Sequence, residues 1–411
     1  MKQLPNELIH QMIGLLDDIG DFPTLYDCSL VCRVWNDICR PKVFRRVVIR
    51  TDNFHTRFGF LHFTASHLSK YIVDLTIQWD ECILTTPGWM PDCLLRLKSL
   101  QILRLDNCRS APPPIVPAPF ALGILSLIAS VPLKALYLGS WSFLKDASDL
   151  LYILSCCSSS LEDLLIQKTS YDHGTIVDSG TSRVPPVQIH LESLRRLQLF
   201  EWIGNAPVPP TNLIECPNLE RLEITRTHAG PWDIPSWIPA GLSELILHVE
   251  PETWMPGLGT SIRPSRLTID VTNQGYSIAS YLEVMEWVED CIDHHIPFPD
   301  LLRHLTVKIN TYPRSLGTHH SPELEDYMAM SGALQQIHER RRLERITVNI
   351  IYTTDDEGTG VDGELEVTKL DVAFSQLVDT GLFYVTFEWT DGRQRTLMHH
   401  VFQSRGADSA P

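Results

Sequence analysis

No apolar run in the 411-residue chain reaches the roughly eighteen residues that span a bilayer, and the opening MKQLPNELIH lacks the charged and apolar regions of a secretory signal. An intracellular protein, cytoplasmic or nuclear, with no membrane partner is expected. There is no Asn-x-Ser/Thr sequon, and the ten cysteines are scattered rather than densely spaced, so they read as reduced thiols and mostly as small core residues. Positive charge is also scarce. With 34 Lys and Arg against 50 Asp and Glu, the formal charge is -16, which would repel a phosphate backbone and argues against nucleic acid as a partner.

Catalytic signatures are missing too. There is no G-x-S-x-G, no H-E-x-x-H and no Walker loop. Gly358 to Gly363 fits G-x-G-x-x-G literally, but Asp355, Asp356, Glu357, Asp362 and Glu364 would repel a pyrophosphate. The same stretch mimics a calcium loop with Glu366 at its twelfth position, yet Asp362 stands where an apolar residue belongs and RITVNII before it reads as strand. A solvated acidic turn is the expectation. The pairs His294-His295, His319-His320 and His399-His400 lack ligand spacing. Hence neither enzyme activity, nor a cofactor, nor a metal site is expected.

What is present begins with the first 47 residues. Pro5 suits a first helical turn, and Leu8, Ile9, Met12, Ile13, Leu15 and Leu16 follow at helical spacing. Asp17 to Pro23 is turn chemistry, after which Cys28, Cys32, Trp35 and Cys39 step along one helical stripe until Pro41 ends the run. So short a module cannot hide that many apolar side chains in itself and wants a docking partner.

LPNELIHQMIGLL followed by CSLVCRVWNDICRPKVFRRV resembles the F-box, in a form similar to fungal F-box proteins. The resemblance implies a three-helix module that grips the Skp-type adaptor, and through it a cullin, of an SCF ubiquitin ligase. It places Leu4, Pro5, Leu8, Leu30, Val31 and Trp35 at or beside the adaptor surface.

Beyond residue 47 the chain repeats. On the template L-x-x-L-x-L the middle position falls at Val47, Leu75, Leu103, Leu136, Leu164, Leu197, Leu222, Leu245, Leu267, Leu305, Ile346 and Val385. The steps are 28, 28, 33, 28 and 33, then 25, 23 and 22, and finally 38, 41 and 39, so the last third is irregular. LQILRLDNC, Leu100 to Cys108, resembles the cysteine-containing repeats of F-box leucine-rich-repeat proteins. Helices are expected over Phe120 to Val131, Asp146 to Ser158, Ala279 to His294 and Ser321 to Arg341, the last opened by Ser321-Pro322-Glu323.

The expected architecture is therefore α/β: an F-box over 1–47, a leucine-rich-repeat-like solenoid or horseshoe over 48–402, and a disordered tail over 403–411. With the template leucines inward, the alternate residues form the opposite strand face, where solenoids bind partners. That face would carry Arg104, Asp106, Tyr137, Leu165, Arg196, Phe200, Arg221, Glu223, His248 and Arg266, with Arg104, Arg196 and Arg221 at equivalent positions in one row. Trp232, Trp237 and Trp254, stiffened by flanking prolines, are a second candidate surface. The expected function is substrate recognition for an SCF-type ligase, the substrate being an unspecified protein; the alternative is a repeat scaffold that uses the F-box without directing ubiquitination.

Overall fold

In the computed structural model the described residues are 5–50, 53–79, 88–107, 118–139, 147–157, 159–167, 188–200, 214–225, 238–249, 262–273, 281–295, 301–311, 323–354, 363–378, 383–391 and 396–402. They form two compact units, Met1–Leu194 with Asn212–Glu215, and Arg195–Thr211 with Cys216–Pro411.

The first unit starts with three helices, α1 (Asn6–Asp18), α2 (Phe22–Ser29) and α3 (Arg33–Val43). Alternation of strand and helix follows: β1 (Arg46–Arg50), α4 (Phe54–Gly59) running on as a π-helix Phe60–Thr64 and a 3-10 helix Ser66–Tyr71, β2 (Asp74–Trp79), α5 (Met90–Leu95), β3 (Ile102–Asn107), α6 (Ala118–Ser130), β4 (Ala135–Leu138), α7 (Ala147–Cys156) and β5 (Asp163–Gln167). β1 to β5 pair in chain order and all in parallel, which requires a crossover between each pair. Helices supply it. Two short strands, β6 (Ile189–His190) and β8 (Ile214–Glu215), pair separately.

The second unit contains β7 (Arg196–Phe200), β9 (Arg221–Thr225), β10 (Glu244–Val249), β11 (Arg266–Asn273), α8 (Tyr281–Asp290) with a π-turn Cys291–His295, β12 (His304–Thr311), α9 (Leu324–Arg341), β13 (Arg345–Thr354), α10 (Gly363–Val378), β14 (Phe383–Asp391) and β15 (Thr396–Phe402). Neighbours again pair in parallel from β7 to β14, and β15 closes the row antiparallel to β14. A parallel sheet built this way is compatible with a repeat solenoid.

The leucine template sets the register. Val47, Leu75, Leu103, Leu136 and Leu164 are successive cross-strand partners, as are Leu197, Leu222, Leu245, Leu267, Leu305 and Ile346. All these leucines are buried. The last position departs from expectation: Phe383, not Val385, stands opposite Ile346. Both point inward, because a shift of two preserves the face, so apolar pattern alone cannot separate them.

Burial at every second residue, Leu103 with Leu105 or Leu222 with Ile224, turns one side of each strand to an apolar core. Phe54, Phe58 and Phe120 complete that core in the first unit, with ring centroids 5.0 and 5.6 Å from Phe54. Tyr327, Met330, Leu334, Ile337, Leu370 and Phe374 do so from α9 and α10 in the second.

Helix boundaries depart from the sequence reading at three places. The stripe from Cys28 to Cys39 is divided between α2 and α3 by a break at Leu30 to Cys32, and Pro41 lies inside α3 rather than ending it. Proline is tolerated in the first turn after such a restart but here sits late, beside the half-exposed end of a short helix. Second, α9 starts at Leu324 because Glu323 and Asp326 form a capping box, which satisfies the first-turn amides better than an earlier start; Ser321 and Pro322 lie outside the described residues. Third, the acidic turn is shorter than expected: Gly363 already opens α10, and Glu366 is a buried helix residue. The remaining loop residues 355–362, the three loop tryptophans, His319, His320 and the tail lie outside the described residues. Among the described residues no helix is long and apolar enough to cross a membrane.

Candidate functional site

The three N-terminal helices carry two apolar stripes, not one. Ile9 and Ile13 turn inward onto Leu25 and Cys39, with Leu16, Cys28, Trp35, Ile38 and Val43 packed around them. Burial and the neighbouring Cys28 raise the pKa of the Cys39 thiol, so it stays protonated core. On the other side of α1, Leu8, Met12, Leu15 and Ile19 recur at helical spacing and face solvent, Leu15 at 65% and Ile19 at 73% exposure. Phe22 and Tyr26 on α2, Val34 on α3, and Leu30 and Val31 in the break between them are exposed as well.

Local chemistry holds that break open. The Asn36 side-chain amide donates to the Ser29 carbonyl at 2.9 Å, and the Ser29 hydroxyl donates to Tyr26 O at 2.6 Å, so the carbonyls at the end of α2 are satisfied while Leu30 and Val31 project outward. At the other turn Gly20, at φ +73, lets its own N–H reach Asp17 O and the Asp21 N–H reach Leu16 O, a Schellman stop. Asp21 then caps α2 by accepting from Thr24 N–H and Oγ, and those bonds lower its pKa. Lys42 to Asp17 at 2.8 Å ties α3 back to α1.

Of the six residues expected at the adaptor surface, Leu8, Leu30 and Val31 are exposed apolar groups, and Pro5 is exposed at the N-cap of α1. Trp35 is half-buried against the three-helix core, and Leu4 lies outside the described residues. Met12, Leu15, Ile19 and Val34 are exposed apolar residues outside the expected adaptor set; the signal is in the sequence, since apolar residues at 8, 12, 15, 19 and at 9, 13, 16 cannot share one buried face.

The polar strand faces are the second candidate surface. In the first unit Asp74, nearly buried, takes an ion pair from Arg46 at 3.2 Å and a second from Arg104, whose guanidinium also lies 4.8 Å over the Tyr137 ring. Leu165 is the half-buried cross-strand neighbour of Tyr137, and Asp106 faces Gln78. In the second unit a ladder crosses five strands: Gln198 donates to Glu223 at 2.7 Å, His248 joins Glu223 at 2.9 Å to Asp270 at 3.2 Å, and Asn310 donates to Asp270 at 2.6 Å. Arg221 adds a hydrogen bond of 3.3 Å to Glu223 and an ion pair of 3.6 Å with Glu244.

The ladder sets its own charge states. The hydrogen bond from His248, followed by that from Gln198 and the nearby cations, outweighs burial and lowers Glu223 to about 2. Burial disfavours charge on His248, but its bonds to Asp270 and Glu223 prevail and raise it to about 9. Both ring nitrogens therefore donate, which leaves neither free to bind a metal. Among the described residues no group of three or more His, Cys, Asp or Glu side chains is arranged to hold an ion.

The expected arginine row is corrected by the register. Arg196 and Arg221 are cross-strand partners, whereas Arg104 sits two places further along its template, opposite Thr76 and Tyr137. Arg266 is exposed at the start of β11, and the Phe200 side chain lies outside the described residues. Asp74, Gln198, Asp270 and Asn310 were not singled out in the sequence, because each gains its role from a residue 25 to 40 positions away.

Residues 1–50 match the F-box-like family. No curated protein and no solved structure matches the chain.

Proposed function

We propose that the chain is a substrate-recognition subunit of an SCF-type ubiquitin ligase, docking a Skp-type adaptor through α1 to α3 and, through that adaptor, a cullin. The observation that carries this reading is the row of solvent-facing Leu8, Met12, Leu15 and Ile19, with Leu30 and Val31 exposed in the α2–α3 break, inside the region that matches the F-box-like family. Exposed apolar surface of this kind marks a protein contact, and the family match supports an adaptor as its occupant. The domain division at residue 47, a leucine-rich-repeat-like solenoid beyond it, fungal origin and a cytoplasmic or nuclear location belong to the same proposal. So does a non-catalytic role.

The test is capture of purified adaptor by the full chain and by Leu8→Asp/Leu30→Asp. Both positions are exposed, so the variant should keep the wild-type melting temperature and lose adaptor binding. Equal capture by a folded variant refutes the docking face. Recovery of adaptor without cullin from co-expression would identify a scaffold instead of a ligase receptor.

A further inference from the structure

On the polar face of the second unit, Arg266, His304 and Arg345 are direct cross-strand partners at the starts of β11, β12 and β13. Parallel strands lie about 4.8 Å apart, so two arginines flank a histidine over roughly 10 Å. Two residues on, Thr306 and Thr347 form the next row on the same face, and Lys308 follows after a further two. Arg266 and Arg345 are exposed, and His304 and Lys308 half-exposed.

These side chains differ from Arg104 in the first unit and from Arg221 in the second. Arg104 and Arg221 are held by internal carboxylates, and Asp270, across from Lys308, is occupied by His248 and Asn310. Among the described residues the only carboxylate within ion-pair distance of the Arg266, His304, Lys308 and Arg345 side chains is Glu344, 3.9 Å from His304 Nε2. Arg345 lies 4.0 Å over the Tyr384 ring, which occupies one face of its guanidinium and leaves the N–H donors at its edge. Arg266 and Arg345 stand on β11 and β13, with β12 between them, so an anion laid across the row meets both.

We propose that the starts of β11 to β13 form a docking surface for an extended acidic segment of a partner protein, whose Asp and Glu side chains pair with Arg266 and Arg345. Alternate side chains of an extended peptide stand roughly 7 Å apart, within reach of two flexible arginines about 10 Å apart, and Thr306 and Thr347 offer hydroxyls between them. A short acidic peptide senses this local patch. A long nucleic acid would also meet the remainder of a chain with net charge -16. The surface deepens the proposed function by giving its substrate a chemistry, and it rests on that reading only for the identity of the partner as a substrate.

The probe is a fluorescein-labelled peptide of alternating Glu and Ala, titrated against the full chain by anisotropy at low salt. Saturable binding is expected, weakened by salt and lost when Gln replaces Glu in the peptide. Arg266→Glu/Arg345→Glu should weaken binding about tenfold or more, which corresponds to two modest surface pairs becoming repulsive. Arg266→Gln/Arg345→Gln, which adds no repulsion, should weaken it less but measurably, and Arg195→Glu should leave it unchanged. Wild-type melting curves for the variants exclude unfolding as the cause. No saturable binding, equal binding by the folded double variants, or binding of single-stranded RNA but not of the peptide would overturn the proposal. No adaptor is present in this assay. A chain that binds the peptide and never an adaptor refutes the ligase reading alone, and the reverse result refutes the docking surface alone.

Discussion

Leu30 and Trp35 lie five residues apart and do different work. Leu30 is 66% exposed in the break between two helices, whereas Trp35 packs half-buried on Ile9, Ile13, Leu25 and Cys39. Leu30→Ala should therefore change stability by no more than about 0.5 kcal/mol in a denaturant melt while reducing adaptor capture. Trp35→Ala should lower stability measurably, though by less than the roughly 3–5 kcal/mol of a fully buried tryptophan, so loss of binding in that variant says little about contact. Gly20 is a second position where one atom decides: its φ of +73 suits glycine, and Gly20→Ala should cost about 1 kcal/mol in the same melt by disfavouring the α1 stop. His248 gives a pH signature. Its pKa rises from 6.5 to about 9 on folding, so its stabilisation is complete below about 6.5 and is lost as pH climbs towards 9. Glu223 runs the opposite way, from 4.5 down to about 2, and its contribution fades as pH falls through that interval. Together they give the second unit its greatest help from this pair between about 4.5 and 6.5. Thermal melts of His248→Gln should show a shallower alkaline decline than wild type; an identical decline would refute the assignment.

Between elements, the clearest single link is the one α9 makes to α10. Tyr327 Oη donates to Glu366 at 2.7 Å with both side chains buried, and Lys369 neutralises the same carboxylate at 2.8 Å. A buried carboxylate depends on such partners to offset its desolvation. Tyr327→Phe removes one bond without opening a cavity and should cost about 1–3 kcal/mol in a denaturant melt of the full chain. Strand faces follow the same rule of pairing. Asp74 pairs with Arg46 and Arg104, and Glu223 with Arg221 and His248, so those charges close on each other. At the starts of β11 to β13, among the described residues, no carboxylate lies within ion-pair distance of Arg266 or Arg345, and Glu344 is 3.9 Å from His304.

Across the molecule, the proposed adaptor should act as a ligand of the folded state. An apolar face of this extent is unfavourable in water, and covering it adds stability by mass action: about 2.7 kcal/mol at an adaptor concentration a hundred times its dissociation constant. The melting transition of the first unit should rise with adaptor concentration, and Leu8→Asp/Leu30→Asp should abolish that rise. Binding of an acidic partner to Arg266 and Arg345 should also be strongly salt-dependent, because both side chains are exposed.

The leucine template, its inward face and eleven of its twelve positions were legible in the sequence, because leucine burial and a period of two are local properties of a strand. The N-terminal helical module was legible for the same reason: its apolar excess is a count, and a count needs no coordinates. Tertiary structure alone decided which apolar stripe of α1 faces water, since Leu8 and Ile9 are alike in chemistry and differ only in what α2 and α3 cover. It also decided which arginines meet a carboxylate among the described residues. Arg221 and Arg345 have the same template position, yet one meets Glu223 and Glu244 while the other lies over Tyr384, because the neighbours of a strand residue come from strands tens of positions away and register brings them together.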